Sequence, residues 1–359
     1  MNSVDVVIPC YNYARFLERC ARSVLDQEEV DVRVLIIDDA SSDHTPQVGQ
    51  RLAAQDCRVE YRRHEVNVGH IDTYNEGLLG WASAEYSLLI SADDLLTPGA
   101  LERATQIMAR HPAVGLTYGM ARYVADDAPP EPRQHGAIDF QLIPGDLFVQ
   151  RCFEHGNTVS TPTAVVRTTV QQAVGGYARD LPHSGDMEMW MRFGAHCPVG
   201  VVRAVQACYR WHGDNMSRRY RAAQLRDMKE VERACLRLLD RCGSSLPHAD
   251  AWLAAMYRRF AEEAFWSASN AFDLGDDETF NVCLDYARQC RPEIMRTAMW
   301  WRLRAKAILG STLWSAVRPA IDHLRGSPPR PEALWAPPPL GGQFGWWPEP
   351  EFGSGTLPC

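Results

Sequence analysis

The chain has 359 residues, of which 46% are hydrophobic and 23% charged, and a formal net charge of −8 at pH 7. This length allows one large α/β domain with additions, or two domains. The acidic balance gives no indication of a nucleic-acid partner. The sequence contains no apolar run of the ~20 residues that span a bilayer, and its N-terminus does not have the basic and apolar regions of a signal peptide.

The eleven cysteines are scattered and contain no C-x-x-C pair. This spacing argues against a zinc site and is typical of reduced thiols. We therefore expect a cytoplasmic protein.

Apolar runs alternate with helical patterns over the first hundred residues. The patterns predict helices over 12–25, 45–54 and from 70 onward, and strands over 4–9, 32–37, 58–64 and 88–90. This alternation predicts a parallel sheet with right-handed crossovers, covered by helices. The G-x-G-x-x-G pattern of a dinucleotide site does not follow the first strand.

Two adjacent carboxylates, Asp93 and Asp94, follow the fourth predicted strand, and Pro98 then opens a helix. Ligands of open α/β sheets bind at the carboxyl ends of the strands. Adjacent carboxylates repel each other, so they need a cation or hydrogen-bond donors to stay ionised. Oxygen ligands at this point suit Mg²⁺ or Mn²⁺, particularly when phosphate oxygens complete the shell. A helix cap is the alternative interpretation, but a cap requires only one Asp.

The first two predicted strands also end in polar residues, and in a parallel sheet these ends are neighbours. Tyr11 follows the first strand and Asp39 the second. A tyrosine ring can stack on a planar base, and a carboxylate can accept from a ring or ribose donor. Each residue alone could be a core tyrosine or a capping aspartate. Together with the carboxylate pair they favour a nucleoside diphosphate as the ligand.

Beyond Pro98 the pattern is less regular. It predicts strands over 114–118, 159–167 and 199–209, and helices over 100–110, 168–174 and 186–195. A polar surface loop is expected over 126–135. The last part of the chain is expected to be helix-rich over 220–325 and then Pro- and Gly-rich and disordered over 326–359.

Four blocks of the first hundred residues resemble, in order and spacing, the nucleotide-sugar domain of family 2 glycosyltransferases with the GT-A fold. The blocks are Val6-Val-Ile-Pro-Cys-Tyr-Asn, Ile36-Ile-Asp-Asp-Ala-Ser-Ser-Asp, Asn67-Val-Gly with Asn75-Glu-Gly-Leu, and Ser91-Ala-Asp-Asp. The resemblance implies that Tyr11 and Asp39 hold the nucleobase, and that Asp93 and Asp94 hold ribose, diphosphate and metal. One departure is Ser91, which stands where the family often has Asp.

Two later blocks extend the resemblance. Ser184-Gly-Asp-Met-Glu-Met-Trp-Met-Arg is similar to the family's Glu-Asp-x-x-x-Trp-x-x-Arg, which implies that Asp186 is the base for the acceptor hydroxyl. Helical spacing places Trp190 on the same face, where it could stack on a sugar, and Glu188 is the next candidate base. The alternative role of Asp186 is that of an N-terminal helix carboxylate favoured by the dipole. The block from Tyr209 to Ser217 implies that Arg210 and His212 assist the diphosphate and that His212 also ligates the metal.

The resemblance implies a GT-A type α/β fold: a Rossmann-like, mostly parallel sheet with helices on both faces and an α-helical C-terminal extension. The expected units are a nucleotide-sugar half over 1–105, an acceptor half over 106–219, the extension over 220–325 and the disordered tail over 326–359. The predicted base is Asp186 and the predicted metal ligands for Mn²⁺ or Mg²⁺ are Asp93, Asp94 and His212. The predicted nucleotide contacts are Pro9, Tyr11, Asp39, Asn67, Asp93, Arg210 and His212.

The expected activity is inverting, metal-dependent transfer of a sugar from a UDP-sugar to a hydroxyl of a glycan or lipid-linked acceptor, in the synthesis of a cell-surface glycan or glycoconjugate. The alternative is a catalytically silent nucleotide-sugar binding module. It is supported by Ser91 and by Gly185, which stand where the family often has Asp and usually has Glu. Nucleotidyl transfer would require a Gly-rich phosphate loop near the N-terminus, and the sequence does not contain one.

The segment 293–325 mixes tryptophans with arginines. Such a helix suits an anionic membrane surface, which would place the protein peripherally at the inner face of the membrane. Ordinary packing on the domain, with the arginines in solvent, is the alternative.

Overall fold

The structure is a computed structural model. It describes residues 1–126, 132–134, 136–215, 224–243, 246, 248–310, 313–314, 316, 340–345 and 354–357. Most of the predicted surface loop over 126–135 and most of the segment 317–359 therefore lie outside the described residues.

The first hundred residues form the predicted alternation of strands and helices. The helices are α1 (Ala14–Leu25), α2 (Thr45–Gln55), α3 (His70–Asn75), which continues as a π-helical turn (Glu76–Trp81), and α4 (Ala100–Arg110). The strands are β1 (Asn2–Cys10), β2 (Val30–Asp38), β3 (Val59–Arg63), β4 (Tyr86–Leu89) and the short β5 (Leu95–Leu96).

Strand β1 is central to this half of the sheet. It pairs in parallel with β2 and with β4, and β2 pairs in parallel with β3. Val4, Val6, Val7 and Ile8 are all fully buried, on both faces of the strand. A strand covered by helices on both faces is apolar throughout rather than alternating, and this is the pattern that predicted it.

The second half of the sheet contains antiparallel as well as parallel pairs. Its helices are α5 (Gly145–His155), α6 (Thr168–Val174) and α7 (Gly185–His196), with a 3₁₀ turn at Thr161–Thr163. Its strands are β6 (Leu116–Val124), β7 (Ile138–Ile143), β8 (Val165–Arg167) and β9 (Val199–Arg210). Strand β7 and helix α5 were not predicted from the sequence.

Two short strands of the C-terminal tail complete the sheet. β10 (Gln343–Phe344) pairs with β6, and β11 (Ser354–Leu357) pairs with the edge strand β7. Over the described residues the sheet has eleven strands, in the order β11-β7-β9-β6-β8-β4-β1-β2-β3 with β5 on β9 and β10 on β6. The predicted α/β class is confirmed. Both strands lie within 326–359, for which disorder was expected, and each is held by backbone pairing with the sheet.

The segment after the sheet is helical, as predicted. It contains α8 (Gln224–Cys242), α9 (Ala249–Asp273), α10 (Asp277–Cys290), a 3₁₀ turn (Pro292–Arg296) and α11 (Ala298–Leu309). This extension shares one apolar core with α5 and α7, as in the packing of Trp252 on Phe153 with ring centroids 6.0 Å apart. The described part of the chain has no helix with the length and hydropathy of a membrane span.

Candidate active site

A cleft of about 700 Å³ lies along the carboxyl ends of β1, β2 and β4. Most of the residues singled out from the sequence line it: Pro9, Tyr11, Asp39, Asn67, Asp93, Asp94 and Asp186. Arg210 and His212 are not among its lining residues and lie buried behind the wall. Loops of the first half of the sheet form one side of the cleft, and α7, α8 and α9 form the other.

Tyr11 lies at the rim of the cleft, immediately after β1, and 51% of it is exposed. The next residue, Asn12, has a positive φ of 59° and ties the end of β1 to the end of β2, because its Oδ1 accepts a hydrogen bond from the Ser42 backbone N–H (2.8 Å). The Ser41 hydroxyl in turn accepts from the Asn12 N–H (2.9 Å). The Tyr11 ring is thus free to meet a planar ligand on a backbone that is held in place.

Asp39 is buried and already receives three hydrogen bonds. Its carboxylate accepts from the backbone N–H groups of Val68 (2.8 Å) and Gly69 (2.9 Å) and from His64 Nδ1 (2.8 Å). Asn67 donates to the Asp39 carbonyl (3.0 Å). Two carboxylate oxygens can accept about four bonds, so Asp39 keeps capacity for a ligand while it fixes the loop 67–69.

His64 links Asp39 to a second carboxylate. Its Nε2 lies 2.8 Å from Glu76 Oε2, so both ring nitrogens face carboxylates and the imidazolium form satisfies both. Burial lowers the pKa of His64, but the hydrogen bonds with Asp39 and Glu76 outweigh burial and raise it overall. The hydrogen-bonded group of Asp39, His64 and Glu76 was not predicted from the sequence. Only Glu76 stands in a recognisable motif, the Asn75-Glu-Gly-Leu block.

Asp93 and Asp94 follow β4 and face different partners. The hydrogen bonds to Asp93 both fall on Oδ2, from His212 Nε2 (3.0 Å) and from the Asn215 amide (3.4 Å). Asp94 Oδ1 accepts the backbone N–H of Arg210 (3.1 Å). Burial and the negative charge of Asp93 raise the pKa of Asp94 well above its usual range. A cation at the pair would remove this repulsion.

His212 supports Asp93 from behind. Its ring packs on Phe16 and Tyr13, and its Nδ1 accepts the backbone N–H of Asp214 (3.2 Å), which assigns the proton to Nε2, facing Asp93. His212 could ligate a metal through Nε2 only by giving up this hydrogen bond.

Arg210 does not reach the cleft with its side chain. Its guanidinium carbon lies 4.5 Å from the centre of the Phe16 ring, and the residue is 1% exposed. The predicted contact between Arg210 and a bound diphosphate therefore does not follow from this geometry. The contribution of Arg210 to the site is its backbone N–H, which binds Asp94.

Asp186 lies on the first turn of α7, on the wall opposite the strand ends. Its Oδ2 accepts hydrogen bonds from Asn157 Nδ2 (2.9 Å) and from the Thr161 hydroxyl (3.4 Å). Burial raises the pKa of Asp186 above its usual range, and nearby His183, which is paired with Asp227 at 3.2 Å, opposes this shift. No motif in the sequence indicated Asn157 as a partner of Asp186.

Trp190 and Glu188 take no part in the cleft. Trp190 is 2% exposed and packs on Tyr177 and Phe193 within the core, so the prediction that it stacks on a sugar is wrong. Residues four apart on α7 lie one turn apart along the axis, and only the first turn of the helix reaches the cleft. Glu188 is fully buried and is paired with Arg192 at 2.8 Å.

The structure brings several aromatic residues into the cleft that the sequence did not single out. Tyr74 and Tyr177 lie near Asp186 with ring centroids 5.5 Å apart. Tyr123, Tyr209, Trp211 and Phe344 line the cleft near the carboxyl ends of β6 and β9.

Over the described ranges, no group of three or more His, Cys, Asp and Glu side chains has the arrangement of a metal site. The carboxylates nevertheless fit a cation that a ligand helps to coordinate. Asp93 and Asp94 both line the cleft, the bonds that Asp93 makes with described residues do not use its Oδ1, and the raised pKa of Asp94 reflects a charge that needs compensation. Mg²⁺ and Mn²⁺ are commonly held by one or two carboxylates together with substrate phosphates.

Comparison with known proteins connects the first part of the chain to a family. Residues 5–171 match the model of Glycosyl transferase family 2. An uncharacterized protein of Mycobacterium tuberculosis is 29% identical over 209 residues, which cover 55% of this chain and 64% of that protein. An uncharacterized glycosyltransferase of Haemophilus influenzae is 22% identical over 244 residues, covering 64% of this chain and 72% of its own. This chain thus spans less than two thirds of the M. tuberculosis relative.

Two solved structures share the fold. S. aureus TarS 1-349 in complex with UDP-GlcNAc superposes with a TM-score of 0.59 at 18% identity, covering 89% of this chain and 92% of that one. The mannosyltransferase PcManGT from Pyrobaculum calidifontis, in complex with GDP-Man and Mn²⁺, gives a TM-score of 0.52 at 15% identity, covering 90% and 88%. At these identities the comparison establishes the fold.

Proposed function

Because residues 5–171 of the chain belong to glycosyltransferase family 2, we propose that the protein transfers a sugar, with inversion, from a UDP-sugar to a hydroxyl of a glycan or lipid-linked acceptor. The observation that carries the proposal is the shared cleft: the carboxylate pair Asp93–Asp94 and the carboxylate of Asp186 open on the same 700 Å³ space from opposite walls. A donor bound at the strand ends would present its sugar toward Asp186.

The nucleotide end of the donor lies, in this proposal, at the ends of β1 and β2. Tyr11 stacks on the base, while Asp39, with Pro9 and Asn67 beside it, accepts from base or ribose. The exposed ring of Tyr11 and the fixed loop 67–69 support this placement. UDP is the preferred nucleotide because the TarS structure of the same fold holds UDP-GlcNAc.

Asp93 and Asp94 would hold a divalent cation, Mn²⁺ or Mg²⁺, jointly with the donor's diphosphate. When bound, such an ion neutralises the charge that develops on the leaving diphosphate. His212 and Asn215 orient Asp93 for this role through their hydrogen bonds to Oδ2. The Mn²⁺ in the PcManGT complex supports a metal-dependent reaction on this fold.

Asp186 acts as the general base. Its carboxylate takes the proton of the acceptor hydroxyl as that oxygen bonds to the anomeric carbon and the bond to the diphosphate oxygen breaks. Attack from the face opposite the leaving group inverts the anomeric centre. A base with a raised pKa suits this step, and Asn157 and Thr161 hold the carboxylate in place. We propose that this transfer takes place in the synthesis of a cell-surface glycan or glycoconjugate.

Thermal shift with UDP and with GDP, each with and without Mn²⁺, tests the donor side. A ligand that binds only the folded state raises the Tm, by an amount that corresponds to about 2.7 kcal/mol at a concentration of 100 Kd. We expect UDP with Mn²⁺ to raise the Tm most, and Asp93→Asn and Asp94→Asn to reduce the effect. Absence of a shift with either nucleotide contradicts the proposal. Nucleotide binding without any turnover of a panel of UDP-sugars identifies a silent binding module instead.

A further inference from the structure

The C-terminal tail builds part of the cleft wall. β10 lies antiparallel to β6, with Phe344 opposite Ala121. Two backbone hydrogen bonds extend the pairing, from Gly341 N–H to the Tyr123 carbonyl (2.8 Å) and from Tyr123 N–H to the Gly342 carbonyl (3.0 Å). Residues 340–345 are therefore held on the sheet by main-chain bonds, and the family match, which ends at residue 171, does not include them.

This pairing places Phe344 in a cluster of four rings. Phe344 stacks on Tyr123 with centroids 4.3 Å apart and planes at 18°, and it meets Tyr209 in an edge-to-face contact with centroids 6.0 Å apart. Tyr123 also meets Trp211 at 6.1 Å in an edge-to-face contact. All four rings line the cleft. Tyr123 is 9% exposed and supports the cluster, whereas Phe344 and Trp211 keep part of their surface open.

The aromatic cluster lies at the carboxyl ends of β6 and β9, since Tyr123 belongs to β6, Tyr209 belongs to β9 and Trp211 directly follows β9. The cluster is also close to the proposed chemistry. Trp211 precedes His212, which binds Asp93, and Gly345 lies against Thr158, the neighbour of the Asn157 that binds Asp186.

An aromatic surface at this position suits the apolar C–H face of a sugar ring. The faces of the clustered rings are apolar, so they can pack against the C–H groups of a sugar ring. We propose that Phe344 and Trp211 form the subsite for the acceptor sugar, so that the C-terminal tail supplies a specificity-determining residue. This inference rests on the proposed function and specifies its acceptor as a pyranose ring presented at this part of the cleft.

The test uses the full chain, with UDP as the nucleotide probe and the methyl glycosides of glucose, N-acetylglucosamine and galactose as probes of the subsite. Saturation-transfer NMR on the UDP-loaded protein measures binding of each glycoside. We expect at least one to bind, Phe344→Ala to weaken its affinity about 3- to 10-fold, and Phe344→Tyr to retain it. Leu340→Ala, in the same tail and 59% exposed, is the matched control and leaves affinity unchanged.

Two results overturn the subsite. One is that none of the three glycosides binds to UDP-loaded protein; the other is that Phe344→Ala binds them as well as Leu340→Ala does. A wild-type protein that binds no UDP instead rejects the proposed function and this inference with it. Affinity of each variant for UDP, measured in the same samples, separates loss of the subsite from loss of the fold.

Discussion

At the residue scale, Asp186 and Glu188 are two positions apart on α7 and meet opposite surroundings. Asp186 reaches the cleft, whereas Glu188 is fully buried and paired with Arg192, which also donates to the Val174 and Gly176 carbonyls. The pattern of the sequence left both as candidate bases. Their partners separate the two roles: one carboxylate is open to substrate, and the other holds the loop at Gly175–Gly176 to the helix.

The two substitutions should therefore have different consequences. Asp186→Asn preserves size and should lower turnover roughly 10²–10⁴-fold, with UDP affinity and Tm retained. Glu188→Gln leaves Arg192 as an uncompensated buried charge and should cost on the order of 3–5 kcal/mol of stability. Steady-state kinetics and denaturant unfolding of both variants check this. Near-normal turnover in Asp186→Asn would move the base elsewhere.

His183 should influence the pH at which activity falls on the acid side of the pH profile. Asp186 must be deprotonated to act, so activity falls as the pH drops through its raised pKa. His183 lowers that pKa, and its replacement also leaves the nearby Asp227 without its partner. His183→Gln should raise the pKa of Asp186 further and move the acid limb of kcat/KM to higher pH. His155→Gln, on the exposed end of α5, is the control. An acid limb at the same pH in His183→Gln and wild type contradicts this coupling.

At the element scale, helix α8 of the extension holds the base in position. Glu230 is 1% exposed, and its Oε1 accepts the backbone N–H groups of His183 (2.5 Å) and Ser184 (2.9 Å), just before α7 begins. The extension lies outside the family match, yet it supplies the acceptor for these two donors, of which that of His183 is half-buried and that of Ser184 is buried.

Removal of this carboxylate should affect stability and activity together. Glu230→Ala removes the acceptor of the buried Ser184 N–H and the half-buried His183 N–H, at a cost of about 1–3 kcal/mol, and allows the loop before Asp186 to shift. Asp240→Ala, on the exposed face of the same helix, should change stability by less than about 0.5 kcal/mol. Urea unfolding and turnover measure both variants. Equal stability of the two would show that the loop is held by other contacts.

The elements of the first half could be predicted because local patterns determine them. Buried apolar runs and amphipathic helices are visible in short windows of sequence. Helix α5 has a weaker signal, Pro144 followed by Asp146 at its start, and it was overlooked. The block Asn75-Glu-Gly resembles a family motif, but the sequence does not show what Asn75 and Gly77 contact. Asn75 binds the backbone of Tyr177, 102 residues away, and a Cβ on Gly77 would lie 2.4 Å from Val7.

The residues of the candidate active site could likewise be predicted only where a local motif marks them. Asp93, Asp94 and Asp186 stand in recognisable motifs, whereas His64, Asn157 and Phe344 gain their places through contacts between segments distant in sequence. Sequence spacing also overestimated the reach of Trp190, because a shared helix face does not determine how far along the axis the cleft extends.

At the scale of the whole molecule, the extension carries a surface with two kinds of side chain. On α11, Trp300 and Leu303 face inward and are 8% and 3% exposed. The outer face exposes Trp301 by 65%, Ile308 by 84% and Leu309 by 52%. Exposed Arg302 and Arg304 lie among them. We call these five outward residues the basic apolar face of α11. Packing on the domain accounts for Trp300 and Leu303 but not for the basic apolar face, so the membrane hypothesis applies to this face.

Attachment of this face to an anionic membrane would bring the cleft to a lipid-linked acceptor. Each Arg near such a surface contributes about 1 kcal/mol, and tryptophan rings settle at headgroup depth. The repulsion expected from the overall charge of −8 is screened beyond roughly 8 Å at physiological salt. We therefore expect the protein to float with vesicles of phosphatidylglycerol and phosphatidylcholine at low salt, and less so as salt rises.

The triple variant Trp301→Ser, Ile308→Ser, Leu309→Ser should lose flotation and keep UDP affinity, because the basic apolar face lies outside the cleft. Trp266→Ser is the control, since Trp266 is 51% exposed on α9. This substitution removes one exposed tryptophan without touching α11. If the wild type stays in solution at low salt, or if the triple variant floats as well as Trp266→Ser, α11 does not bind membranes. Flotation with neutral vesicles alone would assign binding to the apolar side chains and not to Arg302 and Arg304.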